Sequence, residues 1–120
     1  MTVLVLGGTG FVGKNLKEIR PDWKYLGSAD ADLKSYPSVL TLFEEEKPTG
    51  VINLAGHVGG VVHNTNNNLD MMIDNFLICT NVIKAAMACN VPHLMTALST
   101  CVFPAYDLAN QNQHPFLNLK

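Results

Sequence analysis

Charge is scarce in this chain of 120 residues: charged side chains make up 15% of it, and 8 Lys and Arg against 10 Asp and Glu leave a net charge of −2. No cluster of Lys and Arg occurs, which removes the electrostatic footprint required for nucleic acid or an anionic membrane. Cysteine is equally sparse. Cys79, Cys89 and Cys101 are odd in number and form no C-x-x-C pair, so neither a disulfide framework nor a zinc site is indicated. His57 and His63 are candidate general acids or metal ligands, but no second ligand stands at helical or hairpin spacing, and no metal is expected. A basic leader is missing too, and the first apolar run stops at Gly7; with no stretch near bilayer-spanning length, the expected location is cytoplasmic.

What is abundant is apolar surface. Hydrophobic residues reach 48%, which argues against disorder and for a covered sheet. A chain of this length forms one domain burying roughly two-thirds of the surface its unfolded form exposes.

The stretch that organises the rest is Val3-Leu4-Val5-Leu6-Gly7-Gly8-Thr9-Gly10-Phe11-Val12-Gly13. A short β-branched and leucine run enters a loop with four glycines in seven positions, and a helical segment follows. Glycine lets the chain turn sharply and lets a pyrophosphate approach the amides at the helix N-terminus. Gly8, Gly10 and Gly13 satisfy G-x-G-x-x-G, while Gly7, Gly10 and Gly13 satisfy G-x-x-G-x-x-G. Strand before and helix after is the context that turns such a match into a dinucleotide site.

Beyond the loop, strand and helix patterns alternate. The first helix ends near Arg20, before Pro21, and Trp23 to Leu26 reads as a second strand ending in Gly27-Ser28-Ala29. Asp30 and Asp32 lie just past it, and their residue types leave ribose or adenine contact and simple turn formation equally open. No Lys or Arg stands at that tip, so the residues alone do not choose between a 2'-hydroxyl and a 2'-phosphate. Ser35 is placed to cap a helix with Val39, Leu40 and Phe43 on one face, and Gly50 to Leu54 is a third strand. Ala55-Gly56-His57-Val58-Gly59-Gly60 follows at the carboxyl edge, where ligands collect in such sheets. The polar run Asn64 to Asn68 leads into a long helix whose packed face is expected to hold Leu69, Met72, Ile73, Phe76, Cys79, Ile83, Ala86 and Met87. Asn75 and Asn81 stay open between facing the sheet edge and facing solvent. His93 to Leu98 forms the fourth strand and delivers Ser99-Thr100-Cys101 to the same edge. There Ser99 suits a hydrogen bond to a substrate carbonyl and Cys101 a proton exchange, or both merely end a strand.

The fold these patterns predict is α/β: a parallel sheet of about four strands in the order 3-2-1-4, helices on both faces, the start of a Rossmann fold over residues 1–104. Residues 105–120 are rich in Asn and Gln and read as an irregular polar tail. The fourth strand is left as an edge that invites pairing.

With the glycine loop, Val58-Gly59-Gly60 and Ser99-Thr100-Cys101-Val102-Phe103-Pro104 in place, the sequence resembles the GDP-L-fucose synthases, extended short-chain dehydrogenase/reductases. The likeness runs from Met1 to about Pro104, through Asp30-Ala31-Asp32-Leu33 and Asn68-Leu69-Asp70. The resemblance implies an NADP cofactor, with NAD less favoured. It implies cofactor binding by Gly7, Gly8, Thr9, Gly10, Phe11, Val12, Gly13, Asp32, Leu33, Ala55 and Gly56. It further implies GDP-4-keto-6-deoxy-D-mannose as substrate, Ser99 on the 4-keto oxygen and Cys101 as an epimerisation acid/base. The superfamily's Tyr-x-x-x-Lys pair is absent: four residues after Tyr25, Tyr36 and Tyr106 stand Ala29, Leu40 and Asn110. Three expectations follow: the N-terminal portion of a synthase, inactive alone; an NADP(H)-sensing module; or a chain that pairs with a complete synthase or with itself.

Overall fold

The structure is a computed structural model that describes residues 1–99. Seven elements alternate: β1 (Val3–Leu6), α1 (Phe11–Ile19), β2 (Lys24–Leu26), α2 (Tyr36–Glu46), β3 (Gly50–Asn53), α3 (Val61–Ala88) and β4 (His93–Thr96). All strand pairings among the described residues are parallel. The expected α/β class with a four-stranded parallel sheet is present.

The strand order is β2-β1-β3-β4, and this corrects the expected 3-2-1-4. Burial explains the difference. β3 is buried at Gly50, Val51 and Asn53 and needs a partner on each side, whereas β2 is three residues long with Lys24 exposed, which suits an edge. β1 therefore takes the centre, pairing Leu4 with Lys24 on one side and Val51 on the other. Right-handed crossovers then fix the layers. The step from β1 to β2 runs one way across the sheet and the steps to β3 and β4 run the other, so α2 and α3 share the face opposite α1.

The core sits between the sheet and that shared face: Leu4, Leu6, Leu26 and Val51 meet Val39 and Phe43 of α2 and Val82, Ala85 and Ala86 of α3. Val5, fully buried, alternates onto the α1 face. α2 starts at Tyr36 with Pro37 in its first turn, and Lys47 closes it in a left-handed conformation (φ 45°). Ser35 occupies the N-cap position as expected, yet its side chain makes no capping bond.

α3 departs furthest from expectation. It begins at Val61, before the asparagine run, and Asn67 interrupts its helical geometry (φ −130°, ψ 24°). Its buried residues are Asn81, Val82, Ala85 and Ala86. Of the apolar face read from the sequence only Ala86 is buried, and Leu69, Met72, Ile73, Phe76, Ile83 and Met87 are exposed. The helix is apolar around much of its circumference, so periodicity alone does not choose the packed side. By length and by a mean hydropathy of 1.3 it also meets the composition of a bilayer-crossing helix, contrary to the sequence reading, although one face packs against protein. At the sheet's end β4 exposes His93, Leu94 and Met95. The segment 105–120 read as a tail lies outside the described residues.

Candidate functional site

The carboxyl ends of β1, β2 and β3 open into one cavity of about 770 Å³. Its floor is the glycine loop. Gly7 holds φ +75°, and a Cβ there would stand 2.7 Å from the Ala55 nitrogen, so only glycine lets the loop lie against the end of β3. Gly13 is needed for a different reason. A Cβ on it would come within 2.5 Å of the Gly8 backbone, so the first turn of α1 seats directly on the loop. Gly10 occupies the N-cap without a side-chain capping bond, and no acidic residue stands in the first turn. The amides of Phe11, Val12 and Gly13 have no intrahelical partner and carry the positive end of the helix dipole.

Of the residues assigned to a cofactor, Gly7, Thr9, Gly10, Phe11, Val12, Gly13, Asp32, Leu33, Ala55 and Gly56 line this cavity. Gly8 does not. It lies beneath, with its N–H donating to the Leu26 carbonyl at 2.8 Å, and it joins the loop to β2. Asp30 makes a turn, its carboxylate accepting from the Gly27 N–H at 2.7 Å. Asp32 does so too, accepting from the Lys34 N–H at 3.0 Å, while also lining the cavity. Ser99 is exposed beyond β4 and is not among the cavity's lining residues; Cys101 lies outside the described residues.

Lys34 and Asp74 were not singled out from sequence, and the partners of Asn75, Asn81 and His57 were left open there. Lys34 and Asp74 line the cavity and approach each other to 4.0 Å, placing a cation where only small and acidic residues were read. Asn75 brackets the loop after β3, its Oδ1 accepting from the His57 N–H at 2.7 Å and its Nδ2 donating to the His57 carbonyl at 2.9 Å. Asn81, buried, donates to the Leu33 carbonyl at 3.1 Å and fixes the segment past β2. His57 lies between two partners, with Nδ1 3.0 Å from Asp74 Oδ2 and Nε2 3.0 Å from His63 Nε2. Alternation and spacing carry no signal for these contacts, because each joins segments 6 to 48 residues apart. No group of three or more metal-binding side chains occurs among the described residues.

Away from the cavity, Cys89 ends α3, and burial, with Glu44 nearby, pushes its thiol above the usual range. It packs against the core as filler.

The chain is 49% identical over 109 residues to a probable GDP-L-fucose synthase from Drosophila melanogaster, covering 85% of this chain and 34% of that protein. It is 39% identical over 110 residues to the GDP-L-fucose synthase of Dictyostelium discoideum, again covering 34% of the relative. Among solved structures, a GDP-L-fucose synthetase from Naegleria fowleri bound to NADP superposes with a TM-score of 0.77 at 36% identity, over 88% of this chain and 36% of that one. The chain thus spans about a third of the length of these relatives, and the resemblance read from its motifs holds. Residues 3–118 match the NAD dependent epimerase/dehydratase family, and the chain belongs to that family.

Proposed function

We propose that this chain binds NADP(H) across its glycine loop and serves the chemistry of a GDP-L-fucose synthase, with GDP-4-keto-6-deoxy-D-mannose as the family's substrate. The observation that carries the reading is the open first turn of α1 facing the large cavity. Three amides without helical partners, no acidic side chain in that turn and a loop too close for Cβ atoms fit a pyrophosphate. The residues present therefore suit the dinucleotide. Phe11, Val12 and Gly13 would hold the pyrophosphate, Asp32 and Leu33 the adenosine, and Ala55 and Gly56 the second ribose. Lys34 supplies charge to the phosphates. When bound, the cofactor supplies a hydride to a keto carbon.

The work of this chain's own residues is binding and orientation. The 120 residues hold no Tyr-x-x-x-Lys pair to protonate the reduced carbonyl, and turnover by the isolated chain with NADPH and the keto sugar nucleotide is expected to be undetectable. Fluorescence titration with NADPH tests the reading: saturable binding is expected, and Gly10→Val, which fills the cavity floor, abolishes it. Equal binding by that variant, or measurable turnover, counts against the assignment.

A pairing role has one observation in its favour, the exposed apolar residues of α3 from Leu69 to Met87. Co-purification with a complete synthase is the measurement, and failure of the two chains to associate removes that role.

A further inference from the structure

Four side chains form a line at the wall of the cavity. Asp74 Oδ2 lies 3.0 Å from His57 Nδ1, His57 Nε2 lies 3.0 Å from His63 Nε2, and Asn67 Nδ2 lies 3.4 Å from His63 Nδ1. The donors and acceptors can be assigned from chemistry. A carboxylate only accepts, so His57 carries its proton on Nδ1 and offers a lone pair at Nε2. His63 must then donate from Nε2 and accept at Nδ1, where the Asn67 amide donates. Each position in the chain is filled consistently.

The pairing is a hydrogen bond and not half of a metal site. The imidazole centroids are 5.2 Å apart, close to the greatest separation that an Nε2···Nε2 distance of 3.0 Å allows, so the two nitrogens point at each other. A shared ion about 2.0–2.1 Å from each nitrogen would sit off that line and draw the rings together. The glycine at position 59 belongs to the same device, because a Cβ there would overlap the His63 ring.

We propose that His63 and His57 are a proton relay that delivers positive charge to the wall of the nucleotide cavity and couples binding of an anionic ligand to uptake of a proton. The inference rests on the nucleotide reading for its ligand. A solvent proton adds to Nδ1 of the exposed His63, breaking its bond from Asn67. The shared proton moves from His63 Nε2 to His57 Nε2. The charge now resides on His57, paired with Asp74, and one proton has been gained. A second proton would leave two N–H groups facing each other and break the link, so the pair holds one added charge. The groups around it are Asp74, Asn75 and His63 from α3, Lys34 from the segment before α2, and Asp32 on the cavity lining. Asp74 is shared between Lys34 and His57, so charging His57 also frees Lys34 for a phosphate. Affinity for an anion therefore rises with protonation of the pair.

The test has two arms. Histidine NMR of the chain without ligand, from about pH 8 to 5.5, should show His57 and His63 taking up one proton jointly. His63→Gln should change the His57 titration, and circular dichroism should confirm that the variant folds. NADH, which has no phosphate monoester to titrate, is then bound at both pH values and in buffers of different ionisation heat. Affinity several-fold higher at low pH, with net proton uptake, is expected, and His57→Gln should flatten the dependence. Independent titration of the two rings, or the same pH slope in His57→Gln, overturns the relay. Absence of binding of both NADH and NADPH at every pH refutes the nucleotide reading instead, and the NMR arm still decides whether the relay exists.

Discussion

Replacing Gly13 by alanine tests the cofactor cradle with the smallest possible change. The new methyl group would stand 2.5 Å from the Gly8 Cα and carbonyl oxygen, and backbone atoms cannot rotate aside. Restoring ordinary contact at 3.4 Å moves the start of α1 by about 0.9 Å from the loop. Overpacking of this kind costs about 1–3 kcal/mol, so the melting temperature should fall by roughly 5–15 °C for a domain of this size. The same displacement pulls the Phe11 to Gly13 amides from a phosphate held by charge-assisted bonds. Losing about 2–3 kcal/mol of that interaction weakens NADPH roughly 30- to 150-fold. Fluorescence titration and thermal unfolding report the two effects. Gly60→Ala is the control for affinity, because a Cβ there meets nothing within 4 Å and NADPH binding should stay at its starting value. If Gly13→Ala binds and melts like the parent, the seating of α1 on the loop does not govern the site.

Phe43, fully buried between β1, β3 and α3, should cost about 3–5 kcal/mol on truncation to alanine, read from urea unfolding with an unchanged slope. Asn81→Ala removes the donor to the Leu33 carbonyl and should cost about 1–2 kcal/mol while weakening nucleotide affinity, which calorimetry can resolve from stability. Cys89 keeps its proton to higher pH in the folded chain than unfolded, so its contribution to stability is in place below the ordinary thiol range and lost as pH rises through the raised folded value. Peptide-resolved alkylation near pH 8.5 should accordingly modify Cys89 more slowly in the folded chain than in urea, and equal rates would contradict its raised thiol.

Much of the fold was legible because its signals are local. The glycine spacing, the alternation of strand and helix, and Pro21, Pro48 and Pro92 near element ends all act within a few residues. Strand order was not, since it depends on which strand can tolerate an open side, and that is decided by burial on both faces of β3 against an exposed Lys24. The packed side of α3 escaped for a related reason. Its inner face includes the polar Asn81, acceptable there only because the Leu33 carbonyl receives its amide, whereas apolar residues such as Phe76 point outward. At the site, the cavity's glycines could be read from spacing, but the Asp74, His57 and His63 line could not. It assembles only when the loop after β3 meets the kinked start of α3.

The central place of β1 also bears on how the chain reaches this fold. Every strand pair among the described residues is parallel, so none of them is a hairpin that could start the sheet: Leu4 meets Lys24 across 20 positions and Val51 across 47. Closing the longer connection costs about 0.7 kcal/mol more than the shorter one, which favours docking of β2 on β1 before β3 arrives on the other side. Until β3 arrives, Leu4, Val5 and Leu6 present one bare edge to other chains, and refolding yield should fall as protein concentration rises during that interval.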